Sequence, residues 1–314
     1  MEIRYFDPLS RGWERMKKAL FKPFDLKKWF VVGFTAFLAG LIDFHGGGKG
    51  ESGIHEPFDM GTFMEFPQRA REWMIDNPGW MALILVGGVV LLVLLIVCTW
   101  LSSRGKFMFL DNVVHDRALV AKPWYDYRVE GNSLFLWRVG FGIATLAVCL
   151  FYVFACFSSL HARYERFGDS ESFFGPIILM ILGLVAIMIL VAFIALFLSD
   201  FVVPIMYRFR ISAMRAWSVF LSLFSLHPMQ FISYGLLVLF LIIVLVVAII
   251  IGGLLTCCVG FVILAIPYIN EVLLLPVSYT LRAFSVAFLE QFGPDYQLFP
   301  RSEPVQTTEG TPPS

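Results

Sequence analysis

Arg104, Asp200, Asn270 and Glu271 are the residues whose type and position call for a chemical explanation. Asp200 ends a long apolar run, Asn270 and Glu271 interrupt another, and Arg104 follows a third. A charge in hydrocarbon is costly, so ionisable residues inside or beside such runs pair with one another, reach water, or mark a path for an ion or substrate. Two segments with related sequence serve as markers, Arg215-Ala216-Trp217-Ser218-Val219 and Arg282-Ala283-Phe284-Ser285-Val286, with Arg117 as the approximate counterpart of their arginines. Arg104, Asp200 and Glu271 lie 13, 15 and 11 residues before them. If these segments are equivalent, the three residues converge, placing one cation between two carboxylates on the inner side. Simple capping of span ends at a wet interface is the other reading.

The remaining polar clusters carry less. Gly46-Gly47-Gly48-Lys49-Gly50 lacks the Ser or Thr after lysine and the preceding strand that a phosphate loop requires. His45 and His55 with Asp43, Glu51 and Glu56 sit on a glycine-rich spacer without a ligand register, so a polar loop is expected there rather than a metal site. Cys98, Cys149 and Cys156 fall in apolar runs, where a thiol packs as a small hydrophobe, and adjacent Cys257 and Cys258 do not readily bridge each other. No nucleophile–base pair is recognisable. The expectation is a protein that is not an enzyme, with no cofactor.

Such residues need elements to hold them, and composition says which. Of the 314 residues 58% are apolar and 15% charged, against about 25% charged in soluble domains, so lipid is the solvent. Net charge is zero, which gives no electrostatic footing for nucleic acid. Crossing the hydrocarbon core takes about 20 apolar residues as a helix. Trp80–Leu101, Leu134–Leu160, Phe173–Tyr207 and Phe231–Ile251 meet this. Phe261–Leu281 does so despite Pro267 and Pro276, and the short Trp29–Phe44 is read as a sixth span anchored by Lys27, Lys28 and Trp29. A re-entrant segment is the alternative for that first run. With six spans, 19 of the 24 Lys and Arg fall on one side. By the positive-inside rule that side, with both termini, is cytoplasmic. The expected location is a cell membrane, the inner one where there are two.

Lys22-Pro23-Phe24, Lys122-Pro123-Trp124 and His227-Pro228-Met229 recur at 100- and 105-residue intervals, each just before an odd-numbered span. Leu9–Phe21, Leu110–Ala121 and Ile211–Phe224 precede them with helical spacing of apolar residues, which suits helices lying in the membrane interface. The predicted fold is therefore all-α, a polytopic transmembrane bundle. It has six spans as three repeated hairpins, each preceded by an in-plane amphipathic helix. One domain covers 1–289, with repeats at about 9–108, 109–210 and 211–289, and a disordered cytoplasmic tail covers 290–314.

Tyr5-Phe6-Asp7-Pro8-Leu9, Trp13-Glu14-Arg15-Met16-Lys17 and the stretch Leu20–Trp29 resemble a group of uncharacterised prokaryotic membrane proteins. More distantly, these resemble the membrane domain joined to some glycerophosphodiester phosphodiesterases. The resemblance implies a fold and a leaning towards lipid chemistry. It implies no active-site residue, because those enzymes carry catalysis on a separate soluble barrel for which this chain has no room. Two functions follow as expectations. The first is a non-catalytic scaffold or subunit of a membrane complex, with membrane lipids and other subunits as partners. The alternative is a transporter or lipid-handling protein with a polar site near Glu271. A polar cavity at Glu271 favours the second; a tightly packed interior with a flat exposed patch favours the first.

Overall fold

The computed structural model describes residues 4–42, 60–167, 174–256 and 259–300. Among them there is no strand, and thirteen α-helices follow in order. They are α1 (Phe6–Phe21), α2 (Leu26–Gly40), α3 (Met60–Asp76), α4 (Pro78–His115), α5 (Ala121–Asp126), α6 (Arg128–Phe167) and α7 (Phe174–Phe197), then α8 (Val203–Phe209), α9 (Ala213–Leu226), α10 (Pro228–Leu255), α11 (Val259–Leu264), α12 (Pro267–Leu273) and α13 (Leu275–Leu289). A π-helical turn, Leu198–Val202, joins α7 to α8. The glycine-rich loop with His45 and His55, and Cys257 and Cys258, lie outside the described residues.

Four helical stretches are long and apolar enough to cross a membrane: Pro78–His115, Arg128–Arg166, Phe174–Phe209 and Pro228–Leu255. A fifth is formed if α12 and α13, bent by 64° at Leu274, count as one broken span. Pro267 and Pro276 stand in the first turns of these two helices, where a missing N–H is tolerated, and they set the break. The expected first span is a short helix. At 15 residues, α2 reaches about 22 Å along its axis, below the roughly 30 Å of a hydrocarbon core.

Burial is reversed along α4. Its apolar part, Leu83 to Val97, is exposed, with Leu85 at 61% and Leu95 at 51%. Its polar end holds Ser102, Ser103, Lys106, Asp111 and Asn112, all buried. Likewise, no residue of α7 is buried, whereas the π-turn and α8 that follow it are almost wholly so. The long helices are thus arms with apolar surface on every side, as lipid solvent requires, and they meet in a packed head. In that head Phe201, Phe220, Phe231, Tyr234, Phe284 and Phe288 form a continuous aromatic cluster with ring centroids as close as 4.7 Å, for Tyr234 on Phe288.

Of the three segments expected to be separate helices before a proline, one is not. α1 and α9 are separate helices that end before Pro23 and Pro228. Leu110 to His115, by contrast, are the last turns of α4, unbroken from Pro78, because no proline intervenes to end the backbone ladder. Pro123 then sits within α5 rather than in a turn. Residues 290–300, expected to belong to a disordered tail, are ordered. They fold back in two 3₁₀ turns, where Glu290 Oε1 accepts from the Leu298 and Phe299 amides at 2.9 and 2.7 Å. The Phe299 ring then lies 4.0 Å from the Arg15 guanidinium. Residues 301–314 lie outside the described residues.

A buried ionic clamp secures the end of α4. Asp111 is fully buried, and accepts from Arg117 Nε at 3.0 Å, from Arg117 Nη2 at 2.8 and 2.7 Å, and from the Tyr207 hydroxyl at 2.9 Å. Burial pulls the Arg117 guanidinium down, but the hydrogen bond and charge of Asp111 outweigh it and hold Arg117 above its ordinary value. Tyr127, at the junction of α5 and α6, stacks on Tyr207 at 4.7 Å and carries Arg210 on its ring at 3.9 Å, so the clamp ties α4, the α5–α6 junction and α8 together.

Candidate functional site

The polar site begins at Pro204. Within the π-turn the Val203 amide donates to the Leu198 carbonyl, five residues back. The Ser199 carbonyl would look to residue 204 for the equivalent bond, and proline has no N–H. Arg282 of α13 supplies the donor instead, with Nη1 at 2.6 Å from the Ser199 carbonyl and Nη2 at 3.1 Å from its hydroxyl. Asp200, the next residue on the turn, lies 3.6 Å from Arg282 Nη1, and its carboxylate accepts from the Tyr234 hydroxyl at 2.9 Å. π-turns inside α-helices concentrate at functional positions. Here the turn presents a carbonyl, a hydroxyl and a carboxylate to one side.

That side faces a cavity of about 160 Å³ between α2, α4, the π-turn, α12 and α13. Lys106, Asp200, Glu271 and Arg282 all line it, along with Ser278 and the small residues Ala36, Ala39 and Gly40 of α2. Lys106 Nζ contacts the Ser199 hydroxyl at 3.3 Å. Lys106, Glu271 and Arg282 are 2%, 8% and 8% exposed, so the cavity carries two cations and two anions almost out of solvent. Each charge alone would be costly there; together they balance. One polar atom is left over. Arg282 Nε is buried without a hydrogen-bond partner.

Of the residues singled out by sequence, Asp200 and Glu271 come together on this cavity. Asn270 does not line it, and its Oδ1 is buried without a partner beside Glu271. Arg104 is elsewhere. It donates to Asn132 Oδ1 at 3.1 and 3.3 Å and lies 4.5 and 4.8 Å from the rings of Trp100 and Trp124. Two residues on an α-helix turn the direction by about 200°, so Arg104 and Lys106 face opposite ways. α4 and α8 both end on a left-handed residue, Asp116 (φ 52°) and Arg210 (φ 54°), and counting ten back from each gives Lys106 and Asp200. In the sequence Arg282 served only as a marker, and Lys106 was not singled out. Pro204, four residues after Asp200 inside an apolar run, was the available sign that this helix would be irregular.

No group of three or more His, Cys, Asp or Glu among the described residues has the arrangement of a metal site. Residues 4–292 match the model of a family described as a family of unknown function, DUF7544. No curated protein and no solved structure matches the chain. The family match agrees with the resemblance to uncharacterised membrane proteins, and no match carries the further likeness to the phosphodiesterase membrane domain.

Proposed function

The chain belongs to the DUF7544 family, whose function is unknown, and from its own residues we propose that it is a non-catalytic integral membrane protein that binds a small zwitterionic group at the Glu271 cavity. The observation that carries this is the set of two basic and two acidic side chains, Lys106, Arg282, Asp200 and Glu271, gathered around one small cavity. A charge-balanced pocket holds a neutral ligand with separated charges without building up a net buried charge. The arginine takes the anionic end, and the carboxylates, each with about four acceptor positions, take the cationic end. At about 160 Å³ the space lies below the roughly 300–1,000 Å³ of sites for whole small molecules, so it suits a solute or a headgroup of a few atoms. Of the two expectations raised by sequence, this is the solute- or lipid-handling one.

The proposal includes six spans with cytoplasmic termini in a cell membrane. α2 is then a short first span, and α11 to α13 form a broken sixth. The basic segments and the packed head share one side under this arrangement, which places the cavity towards the cytoplasmic face. A role as subunit of a larger complex is the second reading, favoured by the apolar arm of α4 between Leu83 and Val97, exposed on all faces.

Phosphoethanolamine, which has no hydrocarbon chain and at about pH 5 carries close to one negative charge on its phosphate beside the ammonium, tests the proposal in titration calorimetry on the purified protein in detergent at that pH. Binding to the native chain is expected, with a loss of about tenfold or more in Arg282→Lys, which keeps the charge but lacks Nε–H and the planar fork. No binding to the native protein, or equal binding to the variant, overturns it.

A further inference from the structure

A second cavity lies on the next face of α13. It is an apolar crevice of about 510 Å³ between α1, α10 and α13, walled by Leu9, Trp13, Leu241, Leu245, Val277 and Leu281. Along α10, Phe231, Tyr234 and Val238 are buried in the head, and Leu241 and Leu245 continue the same stripe half-buried, while Ile242, Ile243 and Val244 between them face outwards. The crevice therefore opens where α10 leaves the head and enters its lipid-exposed length. Its walls present almost no polar surface; the Thr280 hydroxyl at its edge is turned onto the Pro276 carbonyl at 2.6 Å.

The two cavities are neighbours. Val277, Thr280 and Leu281 face the crevice, Ser278, Leu281 and Arg282 face the charged cavity, and Leu281 belongs to both. Each space lacks what the other supplies. The charged cavity has room for a headgroup but none for a hydrocarbon chain, while the crevice falls within the usual size of a binding site but has nothing to orient a polar group. We infer that the ligand is a membrane phospholipid with an amine-bearing headgroup, its phosphate and amine in the charged cavity and one acyl chain in the crevice, crossing at Leu281. The inference rests on the zwitterion reading above and adds the hydrocarbon part. The phosphate lies on the side of Lys106 and Arg282, and the amine on the side of the carboxylates of Glu271 and Asp200. The chain replaces lipid contacts along Leu241 and Leu245 by a wall that is apolar throughout, so recognition comes from the anchored headgroup and the enclosed first part of the chain.

The experiment compares phosphoethanolamine with dioleoyl phosphatidylethanolamine on the purified protein, reading lipid occupancy by native mass spectrometry and the soluble probe by calorimetry. Leu245→Trp and, separately, Leu241→Trp fill the crevice from a helix face that borders lipid. Either is expected to lower phosphatidylethanolamine occupancy about tenfold and leave phosphoethanolamine binding unchanged. Dioleoyl phosphatidylglycerol, which lacks the amine, is expected to be retained at least tenfold less than phosphatidylethanolamine. Unchanged lipid occupancy in both tryptophan variants overturns the acyl site while leaving the headgroup site standing. Equal retention of phosphatidylglycerol overturns the amine assignment. Failure of phosphoethanolamine to bind the native protein removes the headgroup site itself, and this inference with it.

Discussion

Replacing Arg117 by leucine removes the cationic side of the clamp on α4. Asp111 has no exposed surface, and Arg117 makes three of its contacts, at 2.7, 2.8 and 3.0 Å. What remains is the Tyr207 hydroxyl at 2.9 Å and His115 Nδ1 at 3.3 Å, too little to offset a buried carboxylate. Breaking a buried pair by removing one partner costs about 3–5 kcal/mol, so the ratio of folded to unfolded protein falls by roughly two to three and a half orders of magnitude. Asp111→Asn keeps an acceptor for both Arg117 and Tyr207 and removes the charge, leaving Arg117, whose side chain is 31% exposed, in reach of water. Its loss is expected to be smaller. The two changes are therefore not additive, because once the carboxylate is gone the arginine has little left to neutralise. The double variant should be more stable than the sum of the singles predicts by about 1–3 kcal/mol. Unfolding by sodium dodecyl sulfate in mixed micelles, followed by tryptophan fluorescence for all four proteins, measures this. A loss below about 1 kcal/mol in Arg117→Leu, or strict additivity in the double variant, would refute the buried-pair account.

Pro204→Ala restores an amide proton to the irregular turn. The helix is then expected to relax towards regular α geometry and turn Asp200 away from Arg282, weakening phosphoethanolamine binding about tenfold without loss of thermal stability; unaltered binding would separate the proline from the site. Gly105→Ala places a methyl 2.6 Å from the Ala39 nitrogen and the Leu38 carbonyl carbon, backbone that cannot step aside. A loss of about 1–3 kcal/mol is expected in the same micelle titration, and no loss would mean that α2 does not pack on α4 at backbone distance. Single cysteines at Gly50 and Gly168 are expected to label from outside, and at Val120 and Ser212 from inside, in a background without the native cysteines. Labelling of Gly50 from the cytoplasmic side alone would invert the six-span scheme.

Hydropathy and charge made the arms legible and concealed the head. A run such as Trp80–Leu101 announces itself because lipid is its solvent on every side. Ser102 to Val114 reads as interface for the opposite reason: its serines, Lys106, Asp111 and Asn112 look like groups that need water, and each is buried by other parts of the same chain. No local pattern encodes that burial, since Asp111 depends on Tyr207 some 96 residues away and Arg282 bonds Ser199 across 83. Asp200 and Glu271 were visible because an acid inside an apolar run is out of place wherever the helix ends up. Their cationic partners were not, because Lys106 and Arg282 stand beside polar or mixed sequence that gives a charge an ordinary excuse. Arg104 was chosen by spacing from Arg117, whereas the basic residue that reaches the cavity is Lys106, on the opposite side of the same helix.

The packing of α1 on α13 joins the two ends of the helical order. Gly12 lies so close to α13 that a methyl there would stand 3.0 Å from the Phe284 nitrogen and the Thr280 carbonyl oxygen, and Met16 and Leu20 are fully buried. α1 leaves the ribosome well before its seat on α13 is made. Synthesis at about 5–20 residues per second separates the two by tens of seconds. Throughout that interval Met16 and Leu20 must be sheltered by something other than their final partner, and the bilayer surface beside the translocation site is the nearest apolar medium. An order of assembly is thus written into the contact: it closes only after α13 has been made, and a nascent protein stalled before Leu275 holds α1 in waiting.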